Sequence, residues 1–429
     1  MSDLKGKKLL VLGGTYFNCE IIRMAKSMGL YTVVTDYNPP EKSPGKLIAD
    51  ENYMVSTTDV PGVIRLMKER EIDGVLTGFS DAALPFYADI CKGAGVPCYA
   101  TKELFELYIN KDRYKKELRK YGIPTVAEYD LNWENIEEKV KTVRFPVLVK
   151  PADNSGARGI SICHTPDQLL AAYQEAYSKS KSGTALVEQY LTGPEVTVFW
   201  LFIDGEYYVT ALGNRHVKQN QEGVIPLPVG YTFPSVATAS YLKNIAPKAK
   251  RMFREQGIRD GMMFMQCKME NGECVVYDIG YRLTGSLEYK LFHALQDFDP
   301  MEMMIRYALT GKMTERPIKA DPMFPGVYPY NISCLSAPGH ISEIRGLDEV
   351  KNYPGVIDVY VSHFPGEDIP QSMKGLLAQI TVRVLGSVDA KEKVIPTMQA
   401  LENKIEIISD SGKNLRLPGI EASDIDYVI

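Results

Sequence analysis

The amino-acid sequence predicts a multidomain protein of mixed α/β and α+β class. Three changes of pattern along its 429 residues support this prediction. Strand and helix signals alternate over the first hundred residues, hairpin signals dominate from about residue 196, and short strands recur after about residue 325. A chain of this length can form two to four compact units, each with its own core. We therefore expect a parallel sheet first and antiparallel sheets after it.

The N-terminal unit is predicted from a repeated strand–helix alternation. Buried strands are expected at residues 8–12, 31–36, 52–55 and 74–77, and helices at 17–28, 61–70 and 82–93. The helix over 17–28 has apolar residues at helical spacing and ends at Gly29. Such alternation favours an open parallel sheet connected by right-handed crossovers.

Composition and charge exclude several classes of protein. Hydrophobic residues make up 45% of the chain, charged residues 24%, and the formal net charge is −5. No run of Lys and Arg forms a basic stripe, so a nucleic-acid partner is not expected. The apolar run at residues 9–12 is too short for a signal segment or a membrane span. Seven scattered cysteines without a CxxC pair suit a reducing compartment. We therefore expect a cytoplasmic protein that does not contact membranes.

The central part of the chain contains candidate phosphate ligands. Lys150 ends an apolar strand that begins at Phe145, and a lysine buried there requires an anionic partner. The small-residue loop Asp153–Gly159 follows directly, and its backbone N–H groups could cradle phosphates. A loop of this kind is often only a turn, but the preceding lysine favours a nucleotide.

A second segment suits recognition of a nucleoside. The strand edge Val187–Leu191 offers backbone donors and acceptors that can bind a purine edge. Glu195 follows a few residues later, where its carboxylate could accept hydrogen bonds from ribose hydroxyls. The alternative is a strand followed by a turn with a solvated glutamate.

The third segment is a hairpin with candidate metal ligands. Its two strands are expected at residues 262–268 and 274–279 around Asn271-Gly272, a strong turn signal. Gln266 and Asp278 can then face the same side and meet one Mg²⁺. Arg282 lies where it could stabilise charge on a transferred phosphoryl group. A structural ion pair between Asp278 and Arg282 is the alternative.

In order and spacing, these segments resemble the ATP-grasp superfamily, in the branch of biotin carboxylase, the carbamoyl-phosphate synthetase large subunit and the L-amino-acid ligases. The resemblance implies three domains. A Rossmann-like pre-ATP-grasp domain with a parallel sheet is expected at residues 1–105. An ATP-grasp domain of two α+β lobes follows at 106–325, with the small lobe at about 125–192. An α+β lid-like domain is expected at 326–429.

The resemblance also implies roles for individual residues. Lys111 and Lys150 would contact the ATP phosphates, and the loop residues Asn154, Ser155, Gly156 and Gly159 would cover the β- and γ-phosphates. Adenine would be bound by Glu188 and by the backbone of Gln189 and Leu191, and ribose by Glu195. The Mg²⁺ positions would be those of Gln266, Asp278 and Gly280, and the catalytic residues would be Arg282 and Lys150. Arg215, His216 and Lys218 are further candidates for contact with the substrate.

The implied activity is that of an ATP-dependent carboxylate–amine ligase. It would form an acyl phosphate on a small carboxylate and then join it to an amine, using ATP and Mg²⁺, for which Mn²⁺ could substitute. The resemblance also allows a homodimer, since many relatives are dimers.

Two alternative functions stay open. Where the family usually has Glu, Glu and Asn, this chain has neutral Gln266, the shorter Asp278 and Gly280, which predicts a weak second metal site. A nucleotide-binding regulator or partner subunit that has lost turnover is therefore the second hypothesis. The third is a nicotinamide oxidoreductase, because Asp36 follows Gly13 by 23 residues, although the third glycine of the dinucleotide fingerprint is missing.

Overall fold

The computed structural model describes residues 4–153, 159–218, 226–369 and 379–421. The predicted loop residues Asn154, Ser155 and Gly156 lie outside this range. Within it, no helix is both long and apolar enough to cross a bilayer.

The N-terminal part contains the predicted parallel sheet. Its strands are β1 (Lys8–Leu12), β2 (Tyr31–Thr35), β3 (Glu51–Tyr53) and β4 (Gly74–Leu76), in the order β3-β2-β1-β4. Its helices are α1 (Tyr16–Ser27), α2 (Gly45–Ile48), α3 (Val60–Glu69) and α4 (Leu84–Ala94). The apolar strand β1 is central, with Leu10 beside Val33 on one side and Val75 on the other. The strand–helix alternation is thereby confirmed.

A small four-stranded sheet follows. It consists of β5 (Glu128–Tyr129), β6 (Val147–Pro151), β7 (Ser161–Cys163) and β8 (Ala185–Gln189), in the order β5-β8-β6-β7. The helices of this region are α5 (Lys102–Ile109), α6 (Lys111–Lys120), α7 (Ile136–Lys139) and α8 (Pro166–Lys179). Apolar residues of the sheet, α7 and α8 form a core cluster of their own, separate from the other two clusters.

The largest sheet has eight antiparallel strands. These are β9 (Glu195–Ile203), β10 (Glu206–Lys218), β11 (Leu227–Thr232), β12 (Gly261–Glu270), β13 (Glu273–Gly280), β14 (Tyr328–Ser336), β16 (Val356–Val361) and β18 (Gln379–Val388). Their order is β13-β12-β9-β10-β11-β14-β18-β16. Helices α9 (Thr238–Asn244), α10 (Ala246–Glu255), α11 (Tyr289–Gln296) and α12 (Pro300–Thr310) accompany it.

The C-terminal elements complete the fold. Strands β15 (Gly339–Arg345), β17 (Asp368–Ile369) and β19 (Glu406–Ser409) form a three-stranded sheet, and helices α13 (Leu347–Lys351) and α14 (Val394–Glu402) lie among them. Because β14, β16 and β18 extend the eight-stranded sheet, the predicted boundary at 325/326 falls between strands of one sheet. The boundary at 105/106 likewise lies inside one core cluster that joins the N-terminal sheet to the large sheet. The division into domains stays a prediction.

Candidate functional site

A cavity of about 360 Å³ is lined by residues of the small sheet, the eight-stranded sheet and the N-terminal part. It brings together most of the predicted site residues, namely Lys111, Lys150, Glu188, Gln189, Leu191, Glu195, Arg215, Gln266, Asp278 and Arg282. These residues are spread over more than 170 positions of sequence, from 111 to 282. Their convergence is therefore a property of the tertiary fold.

Lys111 enters the cavity from the first turn of α6. The side chain of Asn110 caps this helix by accepting a hydrogen bond from the N–H of Arg113. The N–H of Lys111 donates to the carbonyl of Ala152 at 3.0 Å, which fixes the start of the helix beside the end of β6. The Lys111 ammonium lies 3.4 Å from a carboxylate oxygen of Asp278.

Lys150 belongs to a buried network of charges in the cavity wall. Its Nζ lies 2.8 Å from Glu188 on the neighbouring strand. The other oxygen of Glu188 contacts Lys115, whose side chain is fully buried and lies 3.0 Å from Glu128. Glu128 and Glu188 are directly opposed across β5 and β8, so Lys115 separates two carboxylates that would otherwise repel each other.

Sequence reasoning missed Lys115. It follows Lys111 by one helical turn on α6, so the two lysines share a face of this helix, and that spacing was the available signal. Glu188, predicted to contact adenine, instead uses both carboxylate oxygens for ion pairs within the protein. Its adenine role stays a prediction that requires one of these pairs to rearrange.

The two lysines that share Glu188 differ in their pKa shifts. Burial lowers the pKa of Lys150 to about 8, and the nearby ammonium groups of Lys115 and Lys111 act in the same direction, while Glu188 opposes them. Burial acts on Lys115 as well, but two carboxylates, Glu188 and Glu128, raise its pKa overall. Of these two lysines, Lys150 is therefore the one whose charge changes near pH 8.

We expect nucleotide affinity to fall as the pH rises above about 8. Phosphate binds the protonated form of Lys150, and a pKa near 8 leaves only about a tenth of it protonated at about pH 9. The dissociation constant of ADP, measured by calorimetry, should therefore rise roughly tenfold between about pH 7.5 and 9, with uptake of a proton. A Lys150→Arg variant, whose guanidinium stays charged, should show no such rise. Equal pH profiles for both proteins would contradict the assignment.

The candidate metal ligands lie opposite each other. Gln266 on β12 pairs directly with Asp278 on β13, so their side chains share one face, as predicted from the hairpin. Burial would raise the pKa of Asp278, but Lys111 and Lys150 lower it below its ordinary value. Asp278 is thus held as an anion beside the predicted phosphate site.

The third predicted metal position cannot carry a ligand. A Cβ on Gly280 would lie 2.3 Å from the Phe264 ring, which occupies the space of a side chain. Within the described ranges, no group of three His, Cys, Asp or Glu residues could hold a metal ion. One carboxylate and one amide oxygen nevertheless suit a single Mg²⁺ that arrives with nucleotide phosphates, because Mg²⁺ commonly takes one or two carboxylates together with phosphate oxygens.

A Gln266→Glu variant should bind Mg²⁺ more tightly in the presence of ADP, by about tenfold, because a second carboxylate adds charge at the same position. Magnesium titration of the ADP complex by calorimetry measures this change. Asp278→Asn is the matched control and should weaken binding. Unchanged affinity in both variants would contradict the predicted metal position.

Arg282 is held by a residue that sequence reasoning did not single out. Its Nε and Nη2 donate to the two carboxylate oxygens of Asp81 at 2.6 and 2.8 Å, and Nη1 donates to the carbonyl of Leu283. The guanidinium also lies over the Phe264 ring, 5.1 Å from its centre. Arg282 is thus paired with Asp81, and Asp278 is paired with Lys111. The alternative of a structural ion pair between Asp278 and Arg282 is therefore wrong.

Glu195 is also ion-paired inside the cavity wall. Its carboxylate contacts Arg215, lies 2.9 Å from Lys268 and accepts a hydrogen bond from Tyr277 at 3.0 Å. Burial opposes the charge of Glu195, but Arg215 and Lys268 lower its pKa overall. The solvated alternative for Glu195 is therefore wrong, and its ribose role stays a prediction. Lys268 lies directly opposite Glu195 on β12, and Tyr277 lies one strand further away on β13; sequence reasoning missed both.

Two predicted substrate contacts point elsewhere. The side chain of His216 is buried on the opposite face of β10 from Arg215, because successive residues of a strand alternate, and it bonds with the Thr232 hydroxyl at 3.0 Å. The ammonium of Lys218 contacts the carbonyl of Gly419 and the carboxylate of Glu421. Neither residue lines the cavity.

Gly159 ends the glycine-rich loop with a φ of +76°, which favours glycine.

The glycines after β1 have a local role. Asp36 accepts a hydrogen bond from the N–H of Gly14 at 2.9 Å and two more from Asn38. A Cβ on Gly14 would lie 2.0 Å from the hydroxyl of Ser43. Gly14 thus connects the turn after β1 to Asp36 and to the segment around Ser43. The Asp36 carboxylate already accepts hydrogen bonds from Gly14 and Asn38. The geometry thus supplies a structural reason for the pattern that suggested a nicotinamide cofactor.

The comparisons with known proteins agree with this geometry. Residues 110–223 match the family described as the carbamoyl-phosphate synthase L chain, ATP-binding domain. This part of the chain is thus similar to an ATP-binding domain, which agrees with the predicted resemblance to the ATP-grasp superfamily.

Particular relatives match about half of the chain. The chain is 30% identical over 227 residues to the 2-oxoglutarate carboxylase small subunit of Hydrogenobacter thermophilus, a match that covers 49% of this chain and 48% of that protein. The chain spans about half or less of the length of the curated relatives it matches.

Two solved structures share the fold over almost the whole chain. The L-amino acid ligase of Bacillus licheniformis has a TM-score of 0.74 at 20% identity, covering 95% of this chain and 99% of that one. The biotin carboxylase domain of the Hydrogenobacter carboxylase, a dimer in complex with MgADP, ADP and bicarbonate, has a TM-score of 0.75 at 20% identity, covering 94% and 90%. At these identities the likeness concerns the fold alone.

Proposed function

We propose that the protein is an ATP-dependent ligase that activates a small carboxylate as an acyl phosphate and joins it to an amine. The observation that carries this proposal is the convergence of Lys111, Lys150, Asp278 and Arg282 on one cavity. The match of residues 110–223 to the ATP-binding domain of the carbamoyl-phosphate synthase L chain supports it.

The reaction would proceed in two balanced steps. A carboxylate oxygen attacks the γ-phosphorus of ATP, the bond to the bridging oxygen breaks, and ADP leaves. An amine nitrogen then attacks the acyl carbon, the bond to the phosphate oxygen breaks, and phosphate and a proton leave. The chain would contribute position and charge rather than covalent chemistry.

The residues would divide this work along the cavity. Lys111 and Lys150 would hold the phosphates, and Arg282 would stabilise charge on the transferred phosphoryl group. Asp278 and Gln266 would hold one Mg²⁺ with the nucleotide, which would neutralise phosphate charge. Because the N–H of Gln189 already donates to the carbonyl of Ala127, a purine would bind through the carbonyl of Gln189 and the N–H of Leu191.

A nucleotide-binding protein without turnover is the second candidate. The observation that favours it is the metal site, where Gln266 is neutral and Phe264 excludes a side chain at position 280. With one carboxylate, a second metal would lack the negative oxygens that it normally needs.

Phosphate release from ATP separates these two candidates. The purified protein would be incubated with ATP, Mg²⁺ or Mn²⁺, and pairs drawn from amino acids, small dicarboxylates and amines. We expect ADP and phosphate in equal amounts with one acid–amine pair. ADP binding without release on any pair would favour the second candidate. Loss of ADP binding in Lys150→Ala would show that the bound nucleotide occupies this cavity.

A cytoplasmic homodimer completes the proposal. The dimeric Hydrogenobacter domain supports the oligomeric state. Light scattering on the eluted protein tests it, and a mass of one chain, 48.0 kDa, would contradict it.

A further inference from the structure

The hairpin that carries Gln266 and Asp278 contains a β-bulge. Along its two strands, Cys267 lies opposite Val276 and Gln266 lies opposite Asp278, so Tyr277 has no residue directly across from it. A bulge interrupts the ladder of hydrogen bonds between two strands, and the backbone groups of the extra residue then need partners elsewhere. The arrangement of the candidate metal ligands therefore depends on how the bulge at Tyr277 is held.

Without this bulge, the two candidate ligands would not lie side by side. The register set by the turn would place Gln266 opposite Tyr277 and Asp278 opposite Met265, because a shift of one residue moves every side chain to the other face. Met265 is fully buried in the hydrophobic core. The carboxylate of Asp278 would then lie among apolar side chains, where an unpaired charge is strongly unfavourable. The bulge thus keeps Asp278 on the cavity side of the hairpin.

The hydroxyl of Tyr114 closes the bulge from the side of α6. It donates a hydrogen bond to the carbonyl oxygen of Tyr277 at 3.0 Å and lies 3.5 Å from Oδ1 of Asp278. Tyr114 is only 1% exposed and does not line the cavity. One buried hydroxyl therefore contacts both the backbone of the bulge and the carboxylate that follows it.

Nucleotide binding would make this contact more important. Oδ1 of Asp278 also lies 3.4 Å from the ammonium of Lys111, which would turn to the phosphates in the proposed function. Tyr114 cannot follow, because its ring is buried and its hydroxyl is bonded to the carbonyl of Tyr277. Among the described residues, no hydrogen-bond or ion-pair partner contacts Oδ2 of Asp278, which leaves that oxygen for a cation.

Resting on the proposed function and its metal position, we propose that Tyr114 is the positioning residue of the metal site. Its hydroxyl holds the bulge at Tyr277 and thereby keeps the carboxylate of Asp278 beside the amide of Gln266. Tyr114 touches neither nucleotide nor metal in this role and acts through Asp278. Groups that orient a metal ligand in this way influence metal affinity almost as strongly as the ligands themselves.

The test compares Tyr114→Phe, which loses the hydroxyl and keeps the ring, with the wild-type protein by calorimetry. The dissociation constant of Mg²⁺ from the ADP complex should rise about 3- to 10-fold, the effect of one lost hydrogen bond. The affinity for ADP without Mg²⁺ should stay unchanged. Tyr108→Phe is the matched control, since Tyr108 is also buried and its hydroxyl contacts Gln256 outside the cavity. It should leave both dissociation constants unchanged.

A double-mutant cycle shows whether Tyr114 acts through Asp278. In an Asp278→Asn background, Tyr114→Phe should change the affinity for Mg²⁺ by less than about twofold, because the carboxylate that the hydroxyl positions is already absent. An equal loss in both backgrounds would overturn the inference, as would an unchanged affinity in Tyr114→Phe. A parallel loss of ADP affinity without Mg²⁺ would also overturn it, because a purely structural defect has that effect.

Two further outcomes separate this inference from the proposed function. If the ADP complex of the wild-type protein binds no Mg²⁺, the inference and the metal position are both overturned. If the variants change Mg²⁺ affinity as expected but no acid–amine pair causes phosphate release, the inference is upheld and the proposed ligase activity is contradicted.

Discussion

Phosphate release by an Arg282→Ala variant is expected to fall about 10³-fold relative to the wild-type protein. A guanidinium that stabilises charge on a transferred phosphoryl group contributes an effect of this size. Nucleotide affinity should change much less, because Lys111 and Lys150 remain in the cavity. Steady-state phosphate release, with ADP binding measured on the same protein, tests both expectations.

This variant requires a control for stability. Removing Arg282 leaves Asp81 largely buried without its partner, which destabilises the fold independently of catalysis. The double variant Arg282→Ala/Asp81→Asn removes that buried charge and should recover most of the lost melting temperature. Turnover should stay low in the double variant. Recovery of phosphate release together with stability would show that Arg282 acts only as a structural link.

Replacing Lys115 with methionine is expected to lower the free energy of unfolding by about 3–5 kcal/mol, because the change removes one partner of a buried ion network. Lys115 is fully buried, and its loss leaves the opposed carboxylates of Glu128 and Glu188 with too little positive charge. Urea denaturation measures the difference. Lys116→Met, at an exposed position of the same helix, is the matched control and should have little effect.

The pH dependence of this loss follows from Glu188. Burial alone would raise the pKa of Glu188, but Lys150 and Lys115 hold this pKa below its ordinary value of 4.5 in the wild-type protein. The stability from this carboxylate is thus present above about pH 4.5 and is lost as the pH falls through its folded pKa. The difference between wild type and Lys115→Met should therefore be largest near neutral pH and shrink in acid. A loss that is equal at all pH values would contradict the role of the carboxylates.

Adding Glu128→Gln to Lys115→Met should recover part of the lost stability, because it removes one of the two opposed charges. This recovery distinguishes the electrostatic explanation from a simple packing defect. A packing defect would not respond to the charge at position 128.

Short-range patterns predicted the parts of the site that are built from one or two adjacent elements. The turn at Asn271-Gly272 sets the register of its hairpin as far as Cys267, which lies opposite Val276. This register alone would pair Gln266 with Tyr277, and a shift of register between Gln266 and Cys267 places Gln266 opposite Asp278 instead. The apolar strand that ends at Lys150 was predictable in the same way, because strand period and burial are local properties. The alternation within β10 could also have separated His216 from Arg215, since neighbours in a strand face opposite sides.

The sequence by itself predicted the resemblance to the ATP-grasp superfamily, the succession of a parallel and then antiparallel sheets, and many of the residues that line the cavity. Only the tertiary structure decided how those charges are paired. Arg282 meets Asp81 across 201 positions of sequence, and Glu188 meets Lys115 across 73. Pairings at such separations follow from which surfaces are brought together when sheets from different parts of the chain pack, and a buried charge takes whichever partner lies within reach there.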